Sequence, residues 1–549
     1  MSSAAMNKTD GGNNAFHTFN NDFAHIQDPN ERRRLALAEI DKAPFGWYHV
    51  RACVVAGIGF FTDSYDIFAI NLVTSMLGIV YFNDKKSHGT IPPSSDTAIK
   101  VSTSGGTVIG QLGFGYLADV VGRKRMYGLE LIIIIFATLA QALNSNSRAI
   151  SITGLIIFWR VLMGIGIGGD YPLSSVITSE FATTKWRGAM MNAVLAMQGI
   201  GQLTAAILAL IVTTGFKGSL ESAANTRACT GVCQLAVDKM WRIIIGFGAV
   251  PGCIALYYRL TIPETPRYTF DVARDVEEAG TDVKAYMNGK AEGHPDEIAR
   301  VTAMAQTAPA LEIPKPPSRT SATSSWFFLD VAFYGLGLNN SIILAAIGWT
   351  GGATQYEIFR KNAIGNLILV CAGAIPGYWL SGHALLALYV LAQFFFNFGP
   401  NSTTFIVPGE CCPTRYRATS HGFSAASGKV GAIIAQVVFG PLRTRGALPN
   451  AKGRDASPWL NHIMYIFALF MLCGLFTSFL IPETKRKTLE ELAGEVPGYV
   501  PFGLVRTLGA LTNGFDRTPN FDPALIGGAH RAYSEEDSQG EKHRGVDSV

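Results

Sequence analysis

Five acidic residues lie inside stretches that are otherwise apolar, where a charged side chain requires a chemical reason. Asp63 and Asp66 are three residues apart and fall on one face of a helix. Glu130, Asp170 and Asp330 each occupy a later apolar stretch. A carboxylate at the centre of a bilayer costs about 2.5–3.5 kcal/mol on insertion scales, so such residues usually face a cavity or an ion route. Their placement indicates proton or ion chemistry inside a membrane.

A second set of polar residues in these stretches has the chemistry to bind an anion. Trp326, Asp330 and Tyr334 follow one another at steps of four residues and share one helix face. Lys429 brings one positive charge, and the neutral hydrogen-bonding groups are Tyr171, Gln198 and Asn401. A protonated Asp330 donates to an anion, whereas an ionised Asp330 accepts from a hydroxyl of the anion. Either arrangement couples anion binding to protonation, and a sugar site would lack the carboxylate–lysine pair.

The elements that must position these residues are membrane-spanning helices. Hydrophobic residues make up 48% of the 549 residues and charged residues 16%, and the net charge of +4 is too small to indicate nucleic acid binding. The 58 glycines are ordinary for closely packed membrane helices. About 20 apolar residues span a bilayer as a helix. Eleven such runs occur, at residues 48–80, 98–119, 127–144, 150–178, 188–214, 240–262, 325–348, 360–380, 383–407, 418–441 and 460–481.

Basic residues assign the sides of the membrane. Residues 1–46 are polar, contain an arginine triplet and lack the apolar core of a cleavable signal peptide, so the N-terminus is predicted to be cytoplasmic. The basic segments 122–125 and 184–188 then fall on the cytoplasmic side, as they should. In the second half, eleven helices leave the basic segments 415–417 and 485–487 outside. Twelve helices would place both inside.

The two halves of the chain echo each other, as in secondary transporters built from two related bundles. The segment IPET occurs after the sixth and after the last apolar run, and an acid precedes an arginine by seven residues twice, as Glu180 with Arg187 and Glu410 with Arg417. The first half also carries a basic loop after Asp119 that has no counterpart in the second. The ninth helix is therefore predicted to be missing after 376–380, through a lost exon in the gene model or a genuine shortening.

These boundaries divide the chain into five predicted segments. They are a cytoplasmic N-terminal tail (1–46), an N-terminal six-helix bundle (47–262), a cytoplasmic central loop (263–324), a C-terminal bundle (325–482) and a cytoplasmic polar tail (483–549). The composition of the last segment, polar with mixed charges, is typical of disorder.

The sequence argues against several other kinds of site. A dinucleotide-binding pattern, G-x-G-x-x-G, is formed by Gly164, Gly166 and Gly169. That site requires a strand before the glycines and an acid about 20 residues later, whereas this run is long enough to span a membrane. The glycines are therefore predicted to pack helices. Without a nucleophile–base pair or metal-ligand spacing, we predict no enzyme, no cofactor and no metal. Cys229 and Cys233 lie in a polar loop predicted outside the cell, where a local disulfide and free thiols both remain open.

The motif GYLADVVGRKRM (115–126), with the repeated IPET and acid–arginine elements, resembles the major facilitator superfamily. Three longer segments are similar to the fungal high-affinity phosphate:proton symporters of that superfamily, and the similarity covers most of residues 40–495. These segments are 168–202, WFFLDVAFYGL and 391–432. The resemblance implies an all-α polytopic membrane protein of the major facilitator fold. It would have two pseudo-symmetric bundles around a midplane site, with eleven helices here against twelve in the family.

The resemblance also implies a role for each polar residue. The phosphate contacts would be Tyr171, Gln198, Trp326, Asp330, Tyr334 and Asn401, with Lys429 as an electrostatic partner. The proton route would consist of Asp63, Asp66, Glu130, Arg160 and Asp170. Independently of the resemblance, the acid–arginine elements and the basic loop predict structural or gating ion pairs at Asp119, Arg123, Glu180, Arg187, Glu410 and Arg417. None of these residues lies in the predicted gap.

The expected function is proton-coupled uptake of inorganic phosphate across the plasma membrane by alternating access. The expected partners are phosphate, protons and the lipid bilayer, and no nucleic acid. One alternative is a glycerophosphodiester or other organic-anion:proton symporter, which shares much of the pattern. Another, favoured by the missing helix, is a non-transporting phosphate sensor or a defective paralogue.

Overall fold

The described residues form helices joined by turns, with no strand among them. The computed structural model describes residues 45–83, 89–260, 265, 318–372, 384–447, 457–482, 484, 487–489 and 492. The predicted N-terminal tail, central loop and C-terminal tail therefore lie almost entirely outside the described residues.

The described part of the N-terminal half contains eight α-helices. Five are long: α1 (Trp47–Tyr81), α2 (Pro93–Val121), α3 (Arg123–Leu143), α4 (Ile152–Phe181) and α5 (Arg187–Gly215). The others are α6 (Lys217–Glu221), α7 (Val232–Phe247) and α8 (Ala249–Leu260). Gly122 separates α2 from α3 with a φ of 114°, a backbone conformation that favours glycine. The Ser151 side chain accepts from the backbone N–H of Gly154 and so caps the start of α4.

The described part of the C-terminal half contains seven α-helices. They are α9 (Ser318–Gly337), α10 (Asn340–Ala346), α11 (Gln355–Ala372), α12 (Ala384–Phe398), α13 (Pro400–Cys411), α14 (Arg417–Arg443) and α15 (Leu460–Ser478). The helix pairs α2 with α14, and α9 with α14, pack against each other, so α14 joins the halves.

Three of the predicted runs are not single helices. The run 240–262 divides at Gly248 into α7 and α8, although Val232–Leu260 is long and apolar enough to form one span. The run 325–348 is α9 and α10, which begin earlier, at Ser318, and are bent by 58° at the break between them. The run 383–407 divides at Gly399 into α12 and α13. Pro400 starts α13, where its missing N–H leaves no helical hydrogen bond unmade. Breaks of this kind expose backbone groups, which a membrane protein tolerates only where they are buried in protein or face a cavity.

The number of spans follows from length and composition. Among the described residues, seven helices are long and apolar enough to cross a membrane, or eight if the bent pair α9–α10 forms one span. The predicted gap after residues 376–380 falls within 373–383, outside the described residues. The missing ninth helix therefore stays a prediction.

Glycines bring α2 and α4 into close contact. A methyl group at Gly164 would overlap the carbonyl oxygen of Thr103, and one at Gly168 would overlap that of Thr107. These small residues allow the two backbones to approach, as in other membrane helix pairs. The interpretation of the glycine pattern as a helix-packing surface is confirmed.

The polar loop before α7 is closed by a disulfide. Cys229 and Cys233 are bonded, with their Cα atoms 5.2 Å apart. Of the two alternatives for this loop, the structure has the local disulfide.

The outer surface of the helices is apolar. On α15, the exposed side chains include Leu469, Leu472, Leu475 and Phe476. A large exposed apolar surface indicates contact with lipid or a partner. The polar and charged residues singled out in the sequence are buried between the helices instead, except for Asn401, which is partly exposed.

Candidate transport site

Asp330, Tyr334 and Lys429 form a hydrogen-bonded cluster in the C-terminal half. Lys429 Nζ donates to Asp330 Oδ2 at 2.9 Å and to Tyr334 OH at 3.0 Å. Helix α9 carries Asp330 and Tyr334 one turn apart, and α14, packed against it, carries Lys429. All three side chains are buried. Because Asp330 is the carboxylate that pairs with the lysine, protonating it would leave the cluster with a net positive charge.

Tyr171 and Gln198 of the N-terminal half complete this cluster, and the five residues are here called the central cluster. Tyr171 on α4 lies with its hydroxyl 3.5 Å from that of Tyr334. The Gln198 Nε2 donates to the Tyr171 hydroxyl at 2.6 Å. Lys429 Nζ also lies 4.1 Å from the ring centre of Tyr334 and 5.0 Å from that of Tyr171, within the range of cation–π attraction. The structure thus brings predicted residues from both halves around one lysine.

Trp326 lies beside this cluster and packs against a histidine that the sequence pattern does not single out. The rings of Trp326 and His421 meet edge to face with centres 5.4 Å apart. His421 is buried and its Nε2 lies 3.1 Å from the carbonyl oxygen of Phe405. A Cβ at Gly428 would lie 2.6 Å from both Asp330 Oδ2 and Trp326 Cδ1. Glycine at 428 therefore leaves room for both side chains.

Asn401 is the one predicted phosphate contact that the structure does not bring to the cluster. Its side chain is partly exposed and donates to Asn397 Oδ1 at 3.0 Å, one turn away across the α12–α13 break. The sequence shows that an asparagine is present at 401. It does not show in which direction a helix that begins at a break presents its side chains.

Arg259 links two of the predicted proton-route acids. Its Nη1 donates to Glu130 Oε1 at 2.5 Å, and its Nη2 donates to the two carboxylate oxygens of Asp170 at 2.9 and 2.8 Å. Ser174 Oγ donates to Asp170 Oδ1 at 2.5 Å, and the guanidinium lies 4.1 Å from the ring centre of Tyr127. One cation therefore serves two buried carboxylates.

Arg259 is not singled out by the sequence because it is the second-to-last residue of its helix, where a basic residue is an ordinary flanking charge. Its position inside an apolar run is the signal that could have found it. Gly59 on α1 makes space for the pair, because a methyl group there would overlap both Arg259 and Asp170.

Asp63 and Asp66 lie on the inner face of α1, as their spacing predicts. Thr138 Oγ1 donates to Asp66 Oδ2 at 2.9 Å, and Arg160 interacts electrostatically with Asp66. Arg160 Nε donates to the carbonyl oxygen of Ile99 at 3.0 Å. Neither carboxyl oxygen of Asp63 has a hydrogen-bond partner in the part of the chain that the structure describes. An ionised carboxylate without partners is costly in such a setting, so this position favours a neutral acid.

Charged residues from both halves form a second cluster, here called the ion layer and consisting of Asp119, Arg123, Glu180 and Arg417. Arg123 Nη2 lies 3.2 Å from Asp119 Oδ1 and 3.3 Å from Glu180 Oε1. Arg417 Nη1 lies 3.1 Å from the same Glu180 oxygen. Arg123 also donates to the carbonyl oxygen of Thr414 at 2.7 Å. The layer therefore ties the N-terminal half to the C-terminal half.

The remaining predicted ion-pair residues lie at the edge of the ion layer. Glu410 interacts electrostatically with Arg187 and Arg417 and accepts a hydrogen bond from Thr484. Arg187 Nη1 donates to the carbonyl oxygen of Lys487 at 3.2 Å. The pairing of Glu180 with Arg417 across the halves does not follow from the seven-residue spacing within each half.

The halves also touch on the other side of the central cluster. Asn71 Nδ2 donates to the carbonyl oxygen of Gly337 at 2.8 Å, and Ser341 Oγ donates to the carbonyl oxygen of Asn71 at 2.8 Å. The central cluster is thus enclosed between two sets of contacts that join the halves.

The sequence of this chain matches a known transporter family over most of its length. Residues 52–334 and 362–495 match the family described as Sugar (and other) transporter. The chain belongs to this family. It is accordingly a multi-pass membrane transporter rather than an enzyme.

Several relatives of this transporter carry names. A repressible high-affinity phosphate permease of Neurospora crassa is 62% identical over 540 residues, covering 89% of this chain and 94% of the relative. The inorganic phosphate transporter PHO84 of Saccharomyces cerevisiae is 51% identical, covering 88% and 91%. Inorganic phosphate transporter 1-4 of Arabidopsis thaliana is 35% identical, covering 84% and 95%. The resemblance to fungal phosphate transporters is confirmed.

Solved structures confirm the fold class of this transporter. The major facilitator proton:xylose symporter XylE, bound to 6-bromo-6-deoxy-D-glucose, aligns with a TM-score of 0.57 and 17% identity, covering 82% of this chain and 99% of XylE. A partially occluded inward-open form of XylE from E. coli aligns with a TM-score of 0.55 and 14% identity, covering 81% and 100%. The transporter therefore has the major facilitator fold.

The chemistry of the site in this transporter is that of charge pairs and hydrogen bonds. Among the described residues, no group of three His, Cys, Asp or Glu side chains has the arrangement to hold a metal ion. The central cluster offers one ammonium, two phenol hydroxyls and one amide to a ligand. The acids of the N-terminal half offer carboxyls that can exchange protons.

Proposed function

We propose that this transporter takes up inorganic phosphate together with protons by alternating access. The observation that supports this most is the Asp330–Lys429 pair at 2.9 Å, because it makes the charge offered to an anion depend on a proton. The names of the Neurospora and yeast relatives support phosphate as the anion.

Phosphate binds at the central cluster in this proposal. While Asp330 is ionised, it neutralises Lys429 and repels an anion. Protonation of Asp330 frees the charge of Lys429 and turns the carboxyl into a hydrogen-bond donor. Tyr171, Tyr334, Gln198 and Trp326 supply further donors, and Asn401 would join only if α13 moves. Phosphate binding therefore follows protonation.

The acids of the N-terminal half carry the proton. Asp63, which has no hydrogen-bond partner among the described residues, is the position best suited to hold a neutral acid. Arg259 holds Glu130 and Asp170, and Arg160 faces Asp66, so two arginines face three carboxyl groups and leave one negative charge that a proton can neutralise. A proton that binds to one of these acids changes the net charge of the N-terminal half. The relative stability of the outward-facing and inward-facing conformations changes with it.

The ion layer serves as one of two gates. Its residues come from both halves, so separation of the halves at this end breaks the Glu180–Arg417 pair. In this proposal the protein lies in the plasma membrane with its N-terminus in the cytoplasm. The end of the bundle that carries the ion layer then faces the cytoplasm. The contacts of Asn71 with Gly337 and Ser341 then close the outer end. Nucleic acid has no role.

Uptake of labelled phosphate in a host without its own phosphate transporters tests the proposal. Uptake is expected to be faster in acidic than in neutral medium and to stop with a protonophore. Asp330→Asn is expected to lose this pH dependence, whereas Glu221→Gln, at an exposed carboxylate, is the matched control. Asp330→Asn with wild-type pH dependence would refute the coupling role.

The same assay separates the alternatives. An organic-anion symporter would show phosphate uptake that excess glycerophosphoinositol abolishes, and would take up that compound itself. A sensor or a defective paralogue would bind phosphate without taking it up. Either result would replace the proposed function.

A further inference from the structure

A buried lysine lies at the end of the bundle opposite the ion layer. Lys100 is near the start of α2 and Asp119 near its end, about 28 Å apart along the helix axis. Lys100 Nζ donates to Asp96 Oδ2 at 2.8 Å and to Asn339 Oδ1 at 3.2 Å. Asn339 lies at the break between α9 and α10, so Lys100 bridges the two halves at this end.

A second cation faces the same place. Arg443, the last residue of α14, interacts electrostatically with both Lys100 and Asp96. Its Nε is buried and has no hydrogen-bond partner within the described part of the chain. Lys100, Arg443 and Asp96 together carry a net charge of +1, and the Nε–H group of Arg443 is an unused donor. Such a group is suited to a monoanion.

Lys100 is connected to the central cluster through the side-chain amides of Asn339 and Gln436. Asn339 Nδ2 donates to Gln436 Oε1 at 3.1 Å, and Gln436 Nε2 donates to the carbonyl oxygen of Tyr334 at 2.9 Å. The backbone next to Lys100 is held by Arg160 through the carbonyl oxygen of Ile99. Polar groups therefore run from Lys100 to the residues proposed to bind phosphate and to one proposed to carry the proton.

We propose that Lys100 and Arg443, with the amides of Asn339 and Gln436, form a capture site for phosphate where the substrate enters. The proposal rests on the proposed function for the identity of the anion and the direction of transport. When the halves separate at this end, Lys100 on one half loses Asn339 on the other. Dihydrogen phosphate, which carries one negative charge, then takes the place of Asn339 at Lys100 Nζ. Closure passes it along the two amides to Lys429.

Equilibrium binding of labelled phosphate to the purified full-length protein, together with uptake in cells, tests this site. Lys100→Gln and Arg443→Gln are each expected to raise the KM for uptake about tenfold, which is the loss of about 1.4 kcal/mol of binding free energy. The maximal rate at normal surface abundance should stay within about twofold, and Lys100→Arg should restore the KM. Raising the salt concentration should weaken wild-type uptake more than that of either variant.

Lys217→Gln is the matched control, because Lys217 is an exposed lysine paired with Glu221. If Lys100→Gln fails to fold, Arg443→Gln still tests the site, because Arg443 Nε makes no hydrogen bond to any described residue that the change would break. An unchanged KM and unchanged phosphate affinity in both variants would overturn the capture site, as would a lower maximal rate at constant KM. A wild type that binds phosphate but does not transport it would refute the proposed function, and the affinities of the variants would still decide the capture site.

Discussion

Glu180 and Arg417 are 237 residues apart in the chain, and their side chains form an ion pair at 3.1 Å. Both are buried, and each comes from a different half. Arg123 also contacts the same oxygen of Glu180 at 3.3 Å, so one carboxylate holds two guanidinium groups at the junction. Removing one member of such a buried ion pair leaves the charge of the other member uncompensated.

Glu180→Gln is therefore expected to lower the free energy of unfolding by about 3–5 kcal/mol, measured by thermal unfolding in detergent. Arg417→Gln should have a similar effect. The double variant should lose less than the sum of the two, because the second change removes a charge that the first had left alone. Strict additivity would show that Glu180 and Arg417 do not interact in the dominant conformation.

Arg259→Gln is expected to impair both stability and uptake, because it leaves Glu130 and Asp170 without their shared cation. A loss of about 3–5 kcal/mol in the free energy of unfolding is expected for a buried cation. Lys217→Gln is the control: its pair with Glu221 is exposed and contributes about 1 kcal/mol or less. Equal losses in the two variants would contradict a special role for Arg259.

Removing the Tyr334 hydroxyl tests the central cluster. Tyr334→Phe takes one hydrogen bond from Lys429 and one donor from the proposed phosphate site. We expect a rise in the KM of phosphate uptake of about tenfold, the equivalent of one hydrogen bond to a charged group. Tyr465→Phe, at a tyrosine exposed on α15, should leave the KM unchanged. A wild-type KM for Tyr334→Phe would place phosphate elsewhere.

Gly428→Ala tests whether space at the cluster is limiting. The added Cβ would lie 2.6 Å from Asp330 Oδ2 and from Trp326 Cδ1, so both side chains, or the helix that carries residue 428, must move. Overpacking of this kind costs about 1–3 kcal/mol, and phosphate uptake should fall with it. Gly199→Ala adds the same group to a helix position where no other described residue lies within 4 Å of the added atom, and it should be neutral or stabilising. Similar uptake in both variants would disprove the steric argument.

Sequencing the transcript across codons 375–390 tests the predicted gap. A lost exon would return a helix of about 20 residues with its basic loop. Restoring that segment should then raise phosphate uptake in the deficient host. A transcript that matches the present sequence would establish a genuinely shortened chain, and uptake by that chain would show that the ninth helix is dispensable.

The sequence by itself determined that the protein is an all-α polytopic membrane protein, because apolar runs of sufficient length and basic loops specify membrane helices without reference to distant contacts. The major facilitator fold followed from the resemblance of its motifs to that superfamily. It also determined which residue types could bind an anion, since Asp330 and Tyr334 share a helix face through local geometry alone. Asp63 and Asp66 follow the same rule.

Only the tertiary structure decided which residues meet. The bonds of Arg259 with Asp170, of Arg417 with Glu180 and of Lys100 with Asn339 join helices that are far apart in the chain. The breaks at Gly399 and after Gly337 were equally hidden, because an apolar run has the same composition whether its helix is straight or bent. Asn401 lies just after the break at Gly399, and its side chain bonds to Asn397 instead of facing the central cluster. Local periodicity fixes a face of one helix, whereas a site between helices depends on how their faces pack.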